Sequence, residues 1–207
     1  MAEVVLTSDL LAFILGEFGS GEQRELIGPL LAGETLGSFA LTEPNAGSDA
    51  AAIETRAERG DGSYVLSGTK AWITLADVAD WAVVLAKTDP EAGTRGISAF
   101  LIERGDFRNG EEPYDMMGLR GTAVGELHLE GCRVPESAMV GDPGEGFKVA
   151  LRALDSGRIG IAALAIGISP GRVRGCCRLR RAPRAVRASD LILSGHPVDA
   201  GGHGHGQ

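Results

Sequence analysis

The sequence predicts an α+β fold, with helices first, a β-rich middle and one long helix after it. Three observations predict this. Apolar residues recur at helical spacing up to Gly33. Period-two alternation and turn residues take over from about Gly37 to Val140. Helical spacing then returns near Gly146 and runs to Ile168. No internal repeat is visible.

Ser8-Asp9 supplies a cap for a first helix whose apolar face is Leu10, Leu11, Phe13 and Ile14, ending near Gly19. Ser20 and Gln23 form a capping-box pattern. The helix they start pairs Leu26 with Leu30 and Ile27 with Leu31, is bent by Pro29 and stops near Gly33. Beyond Gly37, Ile53, Thr55 and Ala57 alternate with polar neighbours. Asp61-Gly62 marks a hairpin turn, and Tyr64 and Leu66 share the face beyond it. "WAVVLAKT" from Trp81 and "ISAFLI" from Ile97 are buried strands, and "GELHLEGCRV" from Gly125 alternates again. Together these predict an antiparallel barrel or sandwich. The last helix carries Phe147, Val149, Ala150, Leu151 and Leu154, a stripe that needs covering.

Composition narrows the function classes. The 207 residues are 43% hydrophobic and 23% charged, with a net charge of −8. From Pro170 onward seven arginines and two aspartates give +5, so the body before it carries −13. An acidic body argues against nucleic-acid binding. Cys132 is the only cysteine before the tail, which excludes a disulfide framework there. The first residues, "MAEVVLTSDLLAFILGEFGS", have acidic residues, no basic flank and a broken apolar run. Neither a signal peptide nor a membrane span fits them, and a reducing, cytoplasmic setting is expected.

The stretch richest in chemistry is "FALTEPNAGSDAA", Phe39 to Ala52. A strand runs into Thr42-Glu43-Pro44, and Pro44 keeps Glu43 extended. Asn45, Ala46 and Gly47 are small and let the backbone approach a ligand, with Thr42 and Ser48 adding hydroxyls. From the residues alone this is a ligand loop or a polar turn between strands.

"ALTEPNAGSDAAA" resembles the first signature of the acyl-CoA dehydrogenases, flavoenzymes that desaturate acyl thioesters. Further stretches follow in that family's order: "FGSGEQRELIGPLLAGE", "YVLSGTKAWITLADVADWAVVLAKTD", "RGISAFLIE", "GLRGTAVGELHLEGCRVPESAMVG" and "GEGFKVALRALDSGRIGIAA". The resemblance covers Leu6 to Ile168 and implies four segments. These are a remnant of an N-terminal helical domain over 1–36, a central β-barrel domain over 37–142, the start of a C-terminal helical domain over 143–168, and a tail over 169–207.

The resemblance implies FAD as cofactor, an acyl-CoA substrate, electron-transfer flavoprotein as the intact family's partner and a homo-oligomer. It implies that Phe39, Ala40, Leu41, Thr42 and Ser48 line the flavin, with Thr42 bonded to its ring and Ser48 near the acyl-CoA as well. Trp72, Ile73 and Thr74 would cover the ring's other side. Asp155 and Arg158 of "LDSGR" match positions that contact CoA; without the resemblance they are an exposed i,i+3 pair.

The implied chemistry is α,β-desaturation, in which a carboxylate takes the α-proton and the flavin accepts the β-hydride. One family position for that carboxylate directly precedes the arginine matching Arg158, and here it is Gly157. The other lies in a stretch this sequence lacks, so no catalytic residue is assigned. The chain is expected to be truncated and inactive alone. Alternatives are a non-catalytic flavin- or acyl-CoA-binding or subunit-partner protein, and a flavin oxidase or monooxygenase of the same fold.

The tail is rich in Arg and Gly and holds Cys176, Cys177, His196, His203 and His205. It lacks aromatic base-readers and the spacing of a metal site. Shifted by one base, codons for Ala185 to Ser194 can read QFGRPISSFQ, which resembles the family's sequence at that point. The tail is therefore expected to be out of frame and without stable structure.

Overall fold

The computed structural model describes the backbone of residues 2–181 and the side chains of residues 6–169. Two units divide the chain, Met1–Ile161 and Ala162–Gln207. The first holds three helices, an eight-stranded sheet and the beginning of a fourth helix.

Helix α1 spans Ala2–Phe18 and so begins before Ser8-Asp9. Ser8 is not its cap: the side chain is buried inside the helix, and its Oγ accepts the Gly37 N–H at 3.3 Å. The Ser20–Gln23 capping box forms as its sequence pattern predicts and opens α2, Gly21–Arg24. Gln23 also donates to the carbonyls of Ser137 and Met139 at 3.0 and 3.1 Å, which ties the helix to the sheet. The expected single helix is broken, because α3 starts afresh at Ile27–Ala32. Pro29 explains the break: it has no N–H to offer the Glu25 carbonyl, and its ring crowds that carbonyl. Gly33 ends α3 at φ 72°, where a side chain would be strained.

The strands are β1 (Gly37–Ala40), β2 (Arg56–Arg59), β3 (Ser63–Thr74), β4 (Trp81–Lys87), β5 (Ile97–Glu103), β6 (Arg108–Asn109), β7 (Val124–Pro135) and β8 (Met139–Val140). Their order is β6-β7-β3-β2-β4-β5-β8, with β1 also on β4. Most pairings are antiparallel, as the alternation predicts. Two are parallel: β1 lies beside Trp81–Val84, and β2 meets the same strand at Arg56 and Lys87. The chain therefore leaves β4 after Ala40 and rejoins it at Arg56, so residues 41–55 form a loop with both ends on that strand.

β4 and β5 are buried on both faces, which is why they read as unbroken apolar runs. Val83, Leu85, Ile97, Ala99 and Leu101 pack towards α1, α3 and the last helix. Ala82, Val84, Ala86, Phe100 and Ile102 face the interior with Tyr64, Leu66 and Leu127.

Helix α4 spans Gly146–Arg181. Val149, Ala150 and Ala153 are buried against the helical core, whereas Leu151, Ile159 and Ile161 are exposed. The helix does not stop at Ile168: contrary to the expectation that the tail lacks stable structure, its backbone continues to Arg181, through Pro170 and Gly171 and against the low helix preference of both. Within the second unit, the Ser169 hydroxyl donates to the Ala165 carbonyl at 2.8 Å. His196, His203 and His205 lie outside the described residues, as does the stretch tested for a shifted frame.

Candidate functional site

The two segments expected to face a flavin meet at one edge of the sheet. Phe39 and Ala40 end β1, and Leu41 and Thr42 begin the 41–55 loop. The Thr42 carbonyl accepts the Ala71 N–H at 2.9 Å, which sets the loop beside Trp72. Ser38, buried on β1, donates from Oγ to the Thr74 carbonyl at 2.9 Å. Phe39, Thr42 and Thr74 are half-buried, Ala40, Leu41 and Ile73 are buried, and Ser48 is exposed.

Trp72 owes its position to a bulge. Tyr64, Leu66 and Lys70 are buried at alternate positions of β3, so strict alternation would send Trp72 inward too. Opposite β7, however, Lys70 pairs with Leu127 and Ile73 with Gly125, an extra residue on the β3 side. Ile73 takes the inward place, and Trp72 is turned out with 59% of its surface exposed. Its φ is +60°, a left-handed value that is costly for a bulky residue. Tyr114 backs the ring at 4.3 Å between centroids. Tyr114 in turn donates to Glu126 Oε1 at 2.6 Å. Burial, and then that carboxylate, push its hydroxyl up to about 12.

Beneath the loop lies a pair the sequence reading did not single out. Lys70 Nζ meets Glu43 Oε1 at 2.7 Å, with both side chains buried. The lysine also donates to the Leu41 carbonyl at 3.1 Å. The carboxylate accepts the Glu54 N–H at 2.5 Å and the Thr55 N–H at 3.0 Å. Glu43 and Ala46 exchange backbone hydrogen bonds, which makes residues 43–46 a tight turn. Burial would raise the Glu43 carboxyl, but the Lys70 charge and these donors hold it below its ordinary value. Burial pushes the Lys70 ammonium down to about 8, with Glu43 partly offsetting it. Both groups are charged at neutral pH.

Gly68 makes the junction possible: a Cβ there would lie 2.8 Å from the Thr55 Cα, and its φ is +153°. The available signal was the alternation itself, which puts Lys70 at an inward strand position where a charge must have a partner.

Asp155 and Arg158 stand apart from this edge. They bond each other at 2.7 Å on the exposed side of α4. Gly157 between them has no side chain to offer, and a Cβ there would touch Leu10 at an ordinary 3.7 Å. Among the described residues no cluster of His, Cys, Asp or Glu could hold a metal ion. Nor is any described helix long and apolar enough to cross a membrane.

A family model for the acyl-CoA dehydrogenase middle domain matches residues 38–132, the sheet that carries this edge. The chain belongs to the acyl-CoA dehydrogenase family. It is 47% identical over 156 residues to the mitochondrial short-chain specific acyl-CoA dehydrogenase of Sus scrofa, covering 74% of this chain and 38% of that protein.

Among solved structures, butyryl-CoA dehydrogenase from Megasphaera elsdenii aligns with a TM-score of 0.81 and 38% identity, over 89% of this chain and 48% of that one. A structure described as the electron transferring flavoprotein of Acidaminococcus fermentans aligns at 0.83 and 38%, over 93% and 52%. The chain spans about two-fifths of the length of the curated relatives it matches. Acyl-CoA dehydrogenases are FAD-dependent oxidoreductases.

Proposed function

We propose that this acyl-CoA dehydrogenase chain supplies the flavin-facing edge of an enzyme that desaturates an acyl-CoA thioester between its α and β carbons. The observation that carries the reading is Trp72. A large ring held outward at a strained φ, backed by Tyr114 and beside the 41–46 turn, suits a planar aromatic partner. Hydroxyl-bearing residues stand close by in the chain: half-buried Thr42, whose carbonyl accepts the Ala71 N–H, half-buried Thr74 two residues after Trp72, and exposed Ser48 further along the loop.

FAD, when bound, supplies the acceptor for the electron pair that leaves the substrate. In this reading Thr42 and Thr74 hold polar edges of the ring system, and Phe39 to Leu41 exclude water along β1. Ser48 sits towards the phosphate end and the acyl-CoA. Asp155 and Arg158 bind the CoA portion by charge and hydrogen bonding. Electron-transfer flavoprotein is the partner that reoxidises the cofactor, and the working assembly is a homo-oligomer. The similarity to short-chain specific and butyryl-CoA enzymes favours a short acyl chain.

Gly157 leaves one of the family's two positions for the proton-abstracting carboxylate without a side chain. The chain alone is therefore expected not to turn over. The test is titration of the purified chain with FAD, followed by an acyl-CoA-dependent dye-reduction assay. Measurable FAD binding without dye reduction is the expected result. No FAD binding would remove the flavin reading, and dye reduction would show that a base lies elsewhere in the chain.

A further inference from the structure

We propose that Lys70 and Glu43 are positioning residues for the flavin-facing edge: their buried ion pair closes the neck of the 41–55 loop and so fixes Thr42 relative to Trp72. The inference rests on the flavin reading above and adds residues that reading does not use.

The geometry ties three stretches of chain together at one point. Leu41 and Glu43 lead out of β1, Glu54 and Thr55 lead into β2, and Lys70 lies on β3 two residues before Trp72. Glu43 takes the backbone N–H groups of Glu54 and Thr55, and Lys70 takes the Leu41 carbonyl. The shared contact at 2.7 Å joins them. Immediately beyond it, the Ala71 N–H reaches the Thr42 carbonyl at 2.9 Å. A loop whose two ends are held this way is closed at its base, so the residues it presents are ordered by the neck and not by the ligand.

The choice of charges is informative. Apolar residues of similar volume can match a buried ion pair in stability, but they have no direction. Here they would also leave the Glu54 and Thr55 N–H groups and the Leu41 carbonyl without partners. Polar satisfaction in three directions at once specifies one loop geometry. Oriented donors beside a cofactor need that kind of support.

The decisive variant is the double replacement Glu43→Gln with Lys70→Met, which removes both charges and leaves neither unpaired. FAD titration, followed by flavin fluorescence and the visible absorption band, compares it with the wild-type chain. The proposal expects the folded variant, judged by circular dichroism and a cooperative unfolding transition, to bind at least tenfold more weakly with an altered band. A folded variant with wild-type affinity and an unchanged band overturns it. A wild-type chain that takes no FAD sinks the flavin reading instead, and the two failures are thereby distinct.

Hydrogen exchange on the flavin-free wild-type chain covers the case in which the variant does not fold. The Glu54, Thr55 and Ala71 amides should be strongly protected without ligand. Exchange at the rate of the exposed Gly47 and Ser48 amides would show that the neck is open, and would overturn the proposal independently.

Discussion

Two regions carry the residues that the family resemblance assigns to ligands, and they are built in opposite ways. The sheet edge from Phe39 to Thr74 is shaped by contacts between residues far apart in sequence, many of them buried. The Asp155–Arg158 pair on α4 is a local contact between exposed side chains one helical turn apart. At the first, ligand geometry and protein stability share the same interactions. At the second they are separate. Substitutions should therefore affect folding strongly at one region and weakly at the other, even where both impair binding.

The largest effect should come from splitting the buried pair. Lys70→Ala or Glu43→Ala leaves one charge buried without its partner, which costs about 3–5 kcal/mol. Urea unfolding measures it, and the double replacement should cost clearly less than the two single ones added together. The pH dependence gives a further check at each end. Glu43 is held below its ordinary value, so its contribution is present above about 4.5 and is lost as pH falls through the folded-state value. Wild type should lose stability on acidification more steeply than Glu43→Gln.

Lys70 adds a slope of the same sign at the alkaline end. Between about 8 and 10.5 the folded chain has given up a proton that the unfolded chain still holds. The unfolded state binds more protons there, so this group's contribution to stability rises with pH across that window. Lys70→Met should lack the rise.

Next in size is Gly68. Gly68→Ala would drive a methyl group to within 2.8 Å of the Thr55 Cα, and φ there is +153°. A loss of about 1–3 kcal/mol is expected from overpacking alone. Because Thr55 also feeds an N–H to Glu43, FAD binding should weaken in parallel. Loss of stability with unchanged FAD binding would separate the neck from the site and weaken the contrast between the two regions.

What the sequence reveals divides along the same line. The β4 and β5 runs, the Ser20 capping box and the Gly62 turn are legible because each is set by neighbours in sequence. The break before Pro29 and the buried place of Ser8 are harder to read, since tertiary packing decides between two acceptable local patterns. The bulge at Trp72 is invisible to alternation, because an extra residue on one strand reverses the facing of everything beyond it. Lys70 shows the middle case. Its inward position could be counted from Tyr64 and Leu66, but Glu43 as its partner required knowing that the 41–55 loop returns to the same strand. At α4 the ion pair is legible in full, yet its role comes only from the resemblance.

Trp72 tests whether the exposed ring serves stability at all. Trp72→Gly removes the contact with Tyr114, worth about 0.5–1.5 kcal/mol, but also relieves a left-handed φ that costs about 1–3 kcal/mol. The net effect on stability is expected to lie between a loss of about 0.5 and a gain of about 2.5 kcal/mol. FAD affinity should nevertheless fall at least tenfold. A large loss of stability with unchanged FAD affinity would make Trp72 an ordinary packing residue.

The smallest changes in stability belong to α4. Gly157→Ala places a methyl group 3.7 Å from Leu10, an ordinary contact, and removes a flexible residue from a helix interior. A gain of about 0.5–1 kcal/mol is expected in thermal unfolding. Asp155→Ala should cost no more than about 0.5 kcal/mol, since an exposed i,i+3 pair gains little over its hydrated charges. The informative readout is therefore binding and not folding. If Arg158 contacts the CoA portion, Arg158→Ala should weaken acyl-CoA binding at low salt by more than its effect on unfolding can explain. That difference should shrink as salt screens the charge. Equal losses in both measurements would reduce the pair to surface structure and leave the sheet edge as the one ligand-facing region of the two.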